Sequence, residues 1–244
     1  MEREMQRLTW TKIKGLVPEK INTVLVPIGT VEAHGVTALG TDNLIPETIA
    51  RLQAERLNAL IAPTLNYGIT KSLYRYPGSL TIQPRHFTPF VADIFTGLAD
   101  HGFKYIIVLN GHGGNNDALK EAAYSVHYEH GCYIAVVHWW QLAAEFTQEF
   151  FGQAGGHAGI DETACMQAID PALVDPHEYD DKLAYLIQSG ADVYPIPGSL
   201  LLYSKGEGYP NFDLEQAKVY LPKMAGVVGD FVLSVIERWK RIEG

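Results

Sequence analysis

Acidic and histidine side chains occur at three places along the chain, in spacings that suit metal binding. The first place holds Glu32 and His34, two residues apart, with Asp42 following a glycine-rich turn. Residues two apart in extended backbone lie on the same side, so Glu32 and His34 can reach one ion. The second place reads NGHGG, where the glycines around His112 let the backbone approach a ligand closely.

The third place reads GGHAGIDETA and contains His157, Asp161 and Glu162. Carboxylates and imidazoles together are the usual ligands of zinc, iron or manganese. Each place has a plainer explanation by itself. Asp42 could cap a helix, the run 110–116 could be a turn or an anion-binding nest, and the two acids could serve a helix start. A metal site is favoured only if all three places meet.

The chain alternates short apolar runs with longer helical segments, a pattern typical of a parallel sheet covered by helices on both faces. Strands are predicted at 23–28, 59–63, 104–109 and 133–138, with shorter ones at 79–82 and 199–203. Helices are predicted at 46–57, 88–101, 116–129, 162–169 and 218–242. We therefore expect one three-layer α/β/α domain over residues 1–244, with a mostly parallel central sheet. Ligands of such sheets bind where the strands end, and the three places follow predicted strands.

Composition narrows the class of protein further. The chain has 244 residues, is 47% hydrophobic and carries a net charge of −9, with its basic residues scattered. Nucleic-acid binding is not expected, because it needs a clustered basic surface. The N-terminal segment lacks the apolar core of a signal peptide, and no run approaches the ~20 apolar residues that a membrane-spanning helix needs, so we expect a cytoplasmic protein. Cys132 and Cys165 lack metal-ligand spacing and are expected to be buried and unpaired.

Four segments resemble, in order, motifs of the creatininase family. They read PIGTVEAHG…LGTD at 27–42, YPGSLTI at 76–82, NGHGGN at 110–115 and HAGIDETA at 157–164. The resemblance covers about residues 24–164 and is looser after 170. It implies the α/β/α fold and a metal-dependent hydrolase with two divalent ions, zinc first and manganese or iron as alternatives.

The resemblance also implies roles for individual residues. Glu32, His34, Asp42 and His112 match the family's ligands, with Asp42 bridging two ions. A further Glu completes the set, and in the family's namesake it lies two residues after the motif's His. That position here is Gly114, so the resemblance implies Glu162 as the remaining ligand, with Asp161 as the weaker candidate. Val36 and Thr37 replace a Pro and a His of the family pattern, a departure that concerns the substrate pocket.

For the reaction, the resemblance implies hydrolysis of a non-peptide C–N bond in a small cyclic amide, by water activated between the two ions. His157 and Glu162 are the implied proton-transfer groups, and His157 is expected to contact substrate without binding metal. Gly113, Gly114, Trp139 and Trp140 are the other expected substrate-binding residues, although both tryptophans could equally be core residues. Alternatives are a formamide-cleaving deformylase, a modified-peptide peptidase, or a metal-binding relative without turnover. The resemblance also implies a homo-oligomer, a hexamer.

No motif favours another enzyme class. A serine hydrolase would need G-x-S-x-G, and a dinucleotide-binding domain would need G-x-G-x-x-G after the first strand. The sequence contains no G-x-S-x-G, and no G-x-G-x-x-G follows the first predicted strand.

Overall fold

The computed structural model describes residues 1–243 and is built around a four-stranded parallel sheet. The strands are β1 Thr23–Ile28, β2 Ala59–Ile61, β3 Tyr105–Asn110 and β4 Tyr133–His138, in the order β2-β1-β3-β4. Pairing between β1, β3 and β4 continues to Ile28, Asn110 and His138, so these strands end side by side. Whatever follows each of them is therefore brought to one edge of the sheet.

Helices cover both faces of this sheet, which confirms the predicted three-layer α/β/α fold. Five of them are α1 Trp10–Lys14, α2 Thr41–Gln53, α3 Pro84–Asp100, α4 Asn116–His130 and α7 Ile160–Ile169. Alternate residues of β3 divide between the two cores. Ile106 and Val108 pack with α3 and α4, whereas Ile107 and Leu109 pack with α2 and α7. A strand buried on both faces explains why these segments read as continuous apolar runs.

Two short helices, α5 Trp139–Leu142 and α6 Ala144–Phe151, follow β4 directly, and the sequence did not predict them. Two further short strands, β5 Ala184–Leu186 and β6 Leu200–Leu202, form a separate parallel pair. The backbone of β6 is also bonded to the segment that carries His157, because Leu201 N donates a hydrogen bond to His157 O at 2.8 Å. The predicted strand at 79–82 is only an isolated bridge between Leu80 and Val31.

Helix α2 begins five residues earlier than its predicted start at Pro46. The helix begins at Thr41, and Pro46 lies inside it. Proline removes one backbone donor and is tolerated best near the start of a helix, where few of the amide hydrogens have partners within the helix. The consequence is that Asp42 lies in the first helical turn, pointing into the edge of the sheet instead of capping from outside.

The C-terminal helix α8, Leu214–Glu243, packs one apolar stripe against the core. The buried residues of this stripe are Ala217, Tyr220, Met224, Val228, Val232 and Ile236. Their spacing of three or four residues is that of one face of a helix. By length and composition alone this helix is apolar enough to cross a membrane. The expectation that no segment meets that criterion was therefore wrong, although a buried core helix meets it as well.

The two cysteines are free and buried on opposite sides of the sheet. Cys132 belongs to the core beneath α3 and α4, and Cys165 to the core beneath α2 and α8. The sheet separates their thiols, in line with the expectation that they do not pair.

Candidate metal centre

Five of the sequence-predicted residues converge at the carboxyl edge of the sheet. We call them the ligand cluster, and they are Glu32, His34, Asp42, His112 and Glu162. Glu32 and His34 follow β1, His112 follows β3, and Asp42 and Glu162 lie in the first turns of α2 and α7. Their ligand atoms form two groups, each within 4.8 Å, and both groups contain Asp42.

Each carboxylate oxygen of Asp42 faces a different imidazole. Oδ1 lies 2.8 Å from Nε2 of His34, and Oδ2 lies 2.9 Å from Nδ1 of His112. The Oδ2 atom is buried and accepts no hydrogen bond from the residues that the structure describes. A buried oxygen of this kind lacks the donor that buried polar groups normally have. One carboxylate with an oxygen in each group is the arrangement of a bridging ligand, so these residues fit a pair of divalent ions.

Backbone carbonyls fix the orientation of both imidazoles. His34 Nδ1 lies 3.0 Å from Glu32 O, and His112 Nε2 lies 2.9 Å from Ile69 O. A ring nitrogen that faces a carbonyl carries the proton, which leaves the other nitrogen free to bind a cation. Those free nitrogens are the ones that face Asp42.

Gly114 makes the close approach of His112 to Ile69 feasible. A Cβ at this position would lie 2.0 Å from Ile69 O and 2.5 Å from His112 Nε2. Gly113 borders the cavity described below, but Gly114 is not among its lining residues. The expected substrate-binding role of Gly114 is therefore replaced by a packing role behind the imidazole.

The third motif presents Glu162, and not Asp161, to the cluster. Glu162 Oε2 lies 3.7 Å from His34 Nε2 and accepts a hydrogen bond from Ala158 N at 2.6 Å. Asp161 turns away, and its Oδ1 accepts from Gly156 N at 3.0 Å. Neighbouring residues on a helix point about 100° apart, so only one of the two acids can reach the cluster.

Thr70 is a supporting residue that the sequence analysis missed. Its buried hydroxyl donates a short hydrogen bond to Glu32 Oε2, and its backbone N–H donates to Thr81 Oγ1 at 3.0 Å. Thr70 lies in a loop with no regular spacing to the ligand motifs, so only its position in space reveals the contact. Partners of this kind orient ligating carboxylates.

The charges of the cluster depend on one another. Burial alone raises the pKa of Asp42, but the imidazoles of His34 and His112 outweigh it and hold that pKa well below its usual value. Burial likewise lowers the pKa of His34, but Asp42 and the other carboxylates raise it to about 10, so a bound ion would take the place of a proton on Nε2. Burial raises the pKa of Glu162 well above its usual value. Burying several carboxylates together is costly unless positive charge lies beside them, and a divalent ion meets that need.

His157 lies against the cluster and could reach an ion as well. Its Nε2 is 2.9 Å from Ala33 O, and its Nδ1 is 3.6 Å from Glu32 Oε1. The ring lies 4.1 Å from that of His34, and the three residues form a further candidate ligand group. Burial and then the neighbouring His34 lower the pKa of His157 to about 4, so its imidazole is neutral near pH 7. Its predicted role as a substrate contact without metal binding stays a prediction.

A cavity of about 410 Å³ opens over the cluster. The residues around it include Asp42, His112, Gly113, Trp140, His157 and Glu162. Trp140 borders it, and its contact with substrate stays a prediction. Trp139 does not border it, because its side chain is 0% exposed and packs in the core. The ring planes of the two tryptophans lie at 82° to each other on α5. The expectation that both would contact substrate was therefore wrong for Trp139.

A three-layer α/β/α fold with buried imidazoles and carboxylates beneath a cavity is typical of metal-dependent hydrolases. The sequence model of the creatininase family, described as creatinine amidohydrolase, matches residues 6–199 of this chain. The chain therefore belongs to the creatininase family.

Individual relatives agree with this membership. The chain is 29% identical to a creatinine amidohydrolase of Pseudomonas putida over 190 residues, which cover 69% of this chain and 72% of the relative. It is 27% identical to a mycofactocin precursor peptide peptidase of Mycobacterium ulcerans, over 67% of this chain and 65% of that protein. A crystal structure of creatinine amidohydrolase superimposes with a TM-score of 0.83 at 24% identity, covering 95% of this chain and 96% of that one.

Proposed function

We propose that this protein is a metal-dependent hydrolase that cleaves the C–N bond of a small cyclic amide. One observation carries the proposal: two ligand groups share Asp42 at the base of a cavity. The volume of about 410 Å³ is suited to a small molecule, since ligand cavities are roughly 300–1,000 Å³. The creatinine amidohydrolase among the relatives supports a cyclic amide as the substrate.

The ligand cluster would hold two divalent ions, with zinc as the first expectation and manganese or iron as alternatives. One ion would lie among Glu32, Asp42 and His112, and the other among His34, Asp42 and Glu162. Such ions, when bound, supply Lewis acidity that polarises a carbonyl and lowers the pKa of water. The protein's part is to hold the ligand atoms in place through Thr70 and the backbone carbonyls already described.

Other residues would bind the substrate and move protons. His157 keeps its Nδ1 directed at the cluster while Ala33 O fixes the opposite nitrogen, so Nδ1 can accept or return a proton beside the reacting amide. Glu162 is the second candidate for this role, because this residue borders the cavity. The indole of Trp140 offers a flat apolar surface for a planar amide, and Gly113 leaves room beside His112.

Metal analysis joined to a substrate panel tests this function. The purified protein should contain about two divalent ions per chain, as two-metal sites do. It should hydrolyse at least one of creatinine, dihydrouracil and hydantoin, lose that activity to a chelator and regain it with zinc or manganese. N-methylformamide and an unmodified tripeptide complete the panel.

The panel also separates the alternatives. Cleavage of the formamide alone would indicate a deformylase, and cleavage of the peptide alone would indicate a peptidase, for which the mycofactocin relative is the precedent. Bound metal without turnover of any compound would indicate a metal-binding relative that is not an enzyme. An absence of metal after reconstitution would overturn the proposal altogether.

We further propose that residues 1–244 form one domain and that the protein is a cytoplasmic homo-oligomer, a hexamer as the family resemblance implies. The free, buried cysteines support a reducing compartment. Light scattering coupled to size-exclusion chromatography measures the oligomer. A monomer of 27.0 kDa would contradict this part of the proposal.

A further inference from the structure

Tyr203 borders the cavity but belongs to none of the motifs identified in the sequence. It follows β6 immediately and lies beside the cavity together with His157 and Glu162. Its side chain is 62% exposed. Its hydroxyl makes no hydrogen bond to any other residue within the described range 1–243. A phenol in this position has a donor to offer to a molecule in the cavity.

The backbone around Tyr203 is tied to the segment that carries His157. On one side of it, Leu201 N donates to His157 O at 2.8 Å. On the other side, Gly208 N donates to Gln153 Oε1 at 2.9 Å, and Gly208 O accepts from Ile160 N at 2.9 Å. The turn after β6 and the His157 segment are thus fixed to each other. Tyr203 is held at the cavity although most of its side chain is exposed.

A further hydrogen bond joins the turn after β6 to the segment that carries His157. Glu207 Oε2 accepts a hydrogen bond from Ala154 N at 2.9 Å, and Ala154 itself borders the cavity. Residues held by their surroundings lose less freedom when a ligand binds, which favours affinity.

The described lining of the cavity offers neutral donors to a substrate oxygen but no permanent cation. Within the described part of the chain its lining contains carboxylates but no Lys or Arg. The Thr147 hydroxyl pairs with the Tyr220 hydroxyl at 2.7 Å, which leaves the phenol of Tyr203 as the lining hydroxyl open to a ligand. The amides of Asn116 and Gln141 and the indole of Trp140 also line the cavity, so a substrate oxygen that points away from the ligand cluster meets neutral donors, among them Tyr203.

The phenol keeps its proton over the working pH range. Desolvation at the hydroxyl and then the carboxylates of Glu162 and Asp161 raise the pKa of Tyr203 to about 12. A protonated phenol donates a hydrogen bond without bringing a charge into the cavity.

We propose that Tyr203 is a specificity-determining residue whose hydroxyl donates a hydrogen bond to an oxygen of the amide substrate. This inference rests on the proposed amide-hydrolase function. It assigns recognition of the substrate to the segment after β6, in the third of the chain that lies beyond the family motifs. Substrates that lack an oxygen at the matching position should gain nothing from the phenol.

The test compares Tyr203→Phe with Tyr194→Phe in the metal-loaded protein. Tyr194 is a matched control because it is 66% exposed and does not border the cavity. Binding of creatinine, creatine, dihydrouracil and hydantoin is measured by titration calorimetry, alongside kcat, KM and metal content. Loss of one hydrogen bond to a buried ligand is worth roughly ten-fold in affinity. Tyr203→Phe should therefore weaken the tightest-binding compound by about ten-fold and raise KM, with metal content and kcat nearly unchanged.

The outcomes separate this inference from the proposed function. If wild-type protein binds a compound without hydrolysing any, the proposed function fails, while the calorimetric comparison still decides the role of Tyr203. Equal affinity of Tyr203→Phe and wild type would overturn the inference and leave the hydrolase standing. A ten-fold loss in Tyr194→Phe as well, or no binding of any compound by the wild type, would also overturn it.

Discussion

The charged side chains around Glu4 and those around Asp42 consist of similar pairs of acids and bases, in very different surroundings. Glu4 lies near the surface, where Arg51 Nε approaches Oε1 at 3.0 Å and Arg7 Nε approaches Oε2 at 3.1 Å. Both arginines are about half exposed, at 46% and 62%. Asp42 is fully buried, and the bases that approach it are the imidazoles of His34 and His112.

The difference lies in what balances the negative charge. Each oxygen of Glu4 has a permanent cation beside it, so that group needs nothing further. The ligand cluster contains three carboxylates and two histidines, with neither Lys nor Arg among its described members. Arginine keeps its charge at every physiological pH, but a histidine that orients a free nitrogen towards a carboxylate is arranged for a metal. Burial without a permanent cation thus distinguishes a ligand site from an ordinary ion-pair network.

The largest effect is expected from replacing Asp42, the residue that both ligand groups share. Asp42→Ala should lose most of its bound metal and reduce turnover by about 10³-fold or more, because both ligand groups lose a member. Elemental analysis and steady-state kinetics measure the two effects. Glu4→Ala is the control and should retain both metal and turnover. Full metal occupancy in Asp42→Ala, or a greater loss in His34→Ala, would show that Asp42 does not bridge.

The next effect concerns His157, which lies against the cluster without being one of its five members. His157→Ala should keep its metal but reduce kcat by about 10²-fold or more, the usual range for losing a proton-transfer group. Metal content and kcat are measured on the same preparation. Loss of metal would make His157 a ligand together with Glu32 and His34, and unchanged turnover would make it structural.

A smaller effect is expected from replacing Thr70, which contacts the ligand cluster through Glu32. Thr70→Val removes the hydroxyl that bonds Glu32 while keeping nearly the same volume. Metal affinity or activity should fall by about 10-fold, the lower end of what such partners contribute. Competition with a chelator measures the affinity, and Thr48→Val, whose hydroxyl bonds Leu44 O at 2.7 Å within α2, serves as the control. An effect no larger than that of the control would remove Thr70 from the site.

The smallest effect is expected in the exposed group and depends on pH. The hydrogen bond from Arg51 lowers the pKa of Glu4 below its model-compound value of 4.5. A depressed folded-state pKa contributes stability above about pH 4.5, which is lost as the pH falls through the folded pKa. Glu4→Gln should therefore cost up to about 1 kcal/mol at pH 7 and almost nothing near pH 2. Urea unfolding at the two pH values measures the difference, and an equal cost at both would contradict it.

The bounds of the helices and strands were predictable to different degrees, depending on the local sequence pattern. Strands β1 and β4 begin and end where the apolar runs 23–28 and 133–138 predicted them. The end of α4 at His130 before Gly131 also agrees within a residue, because Gly131 adopts the left-handed conformation that ends helices. The start of α2 lies earlier than the pattern predicts, because a proline favours the first turn of a helix but Pro46 lies inside this one.

The order of motifs and strands along the chain is enough to predict which residue types meet at the edge of the sheet. Parallel strands that end in register bring the segments after them together, so Glu32, His34 and His112 were predictable as neighbours from strand order alone. The packing of the elements sets which atoms face the cluster and the cavity. It placed Glu162 at the cluster and Trp140 at the cavity, and it turned Asp161 away from the cluster and Trp139 into the core.

The direction in which each side chain points explains this difference. Adjacent residues of a helix point about 100° apart, so the choice between neighbours depends on how α5 and α7 dock, and a motif cannot show this. Thr70 and Tyr203 were missed for a related reason. Each is brought to the site by a loop whose path is set by long-range hydrogen bonds, and nothing in the local spacing of the chain reports such bonds.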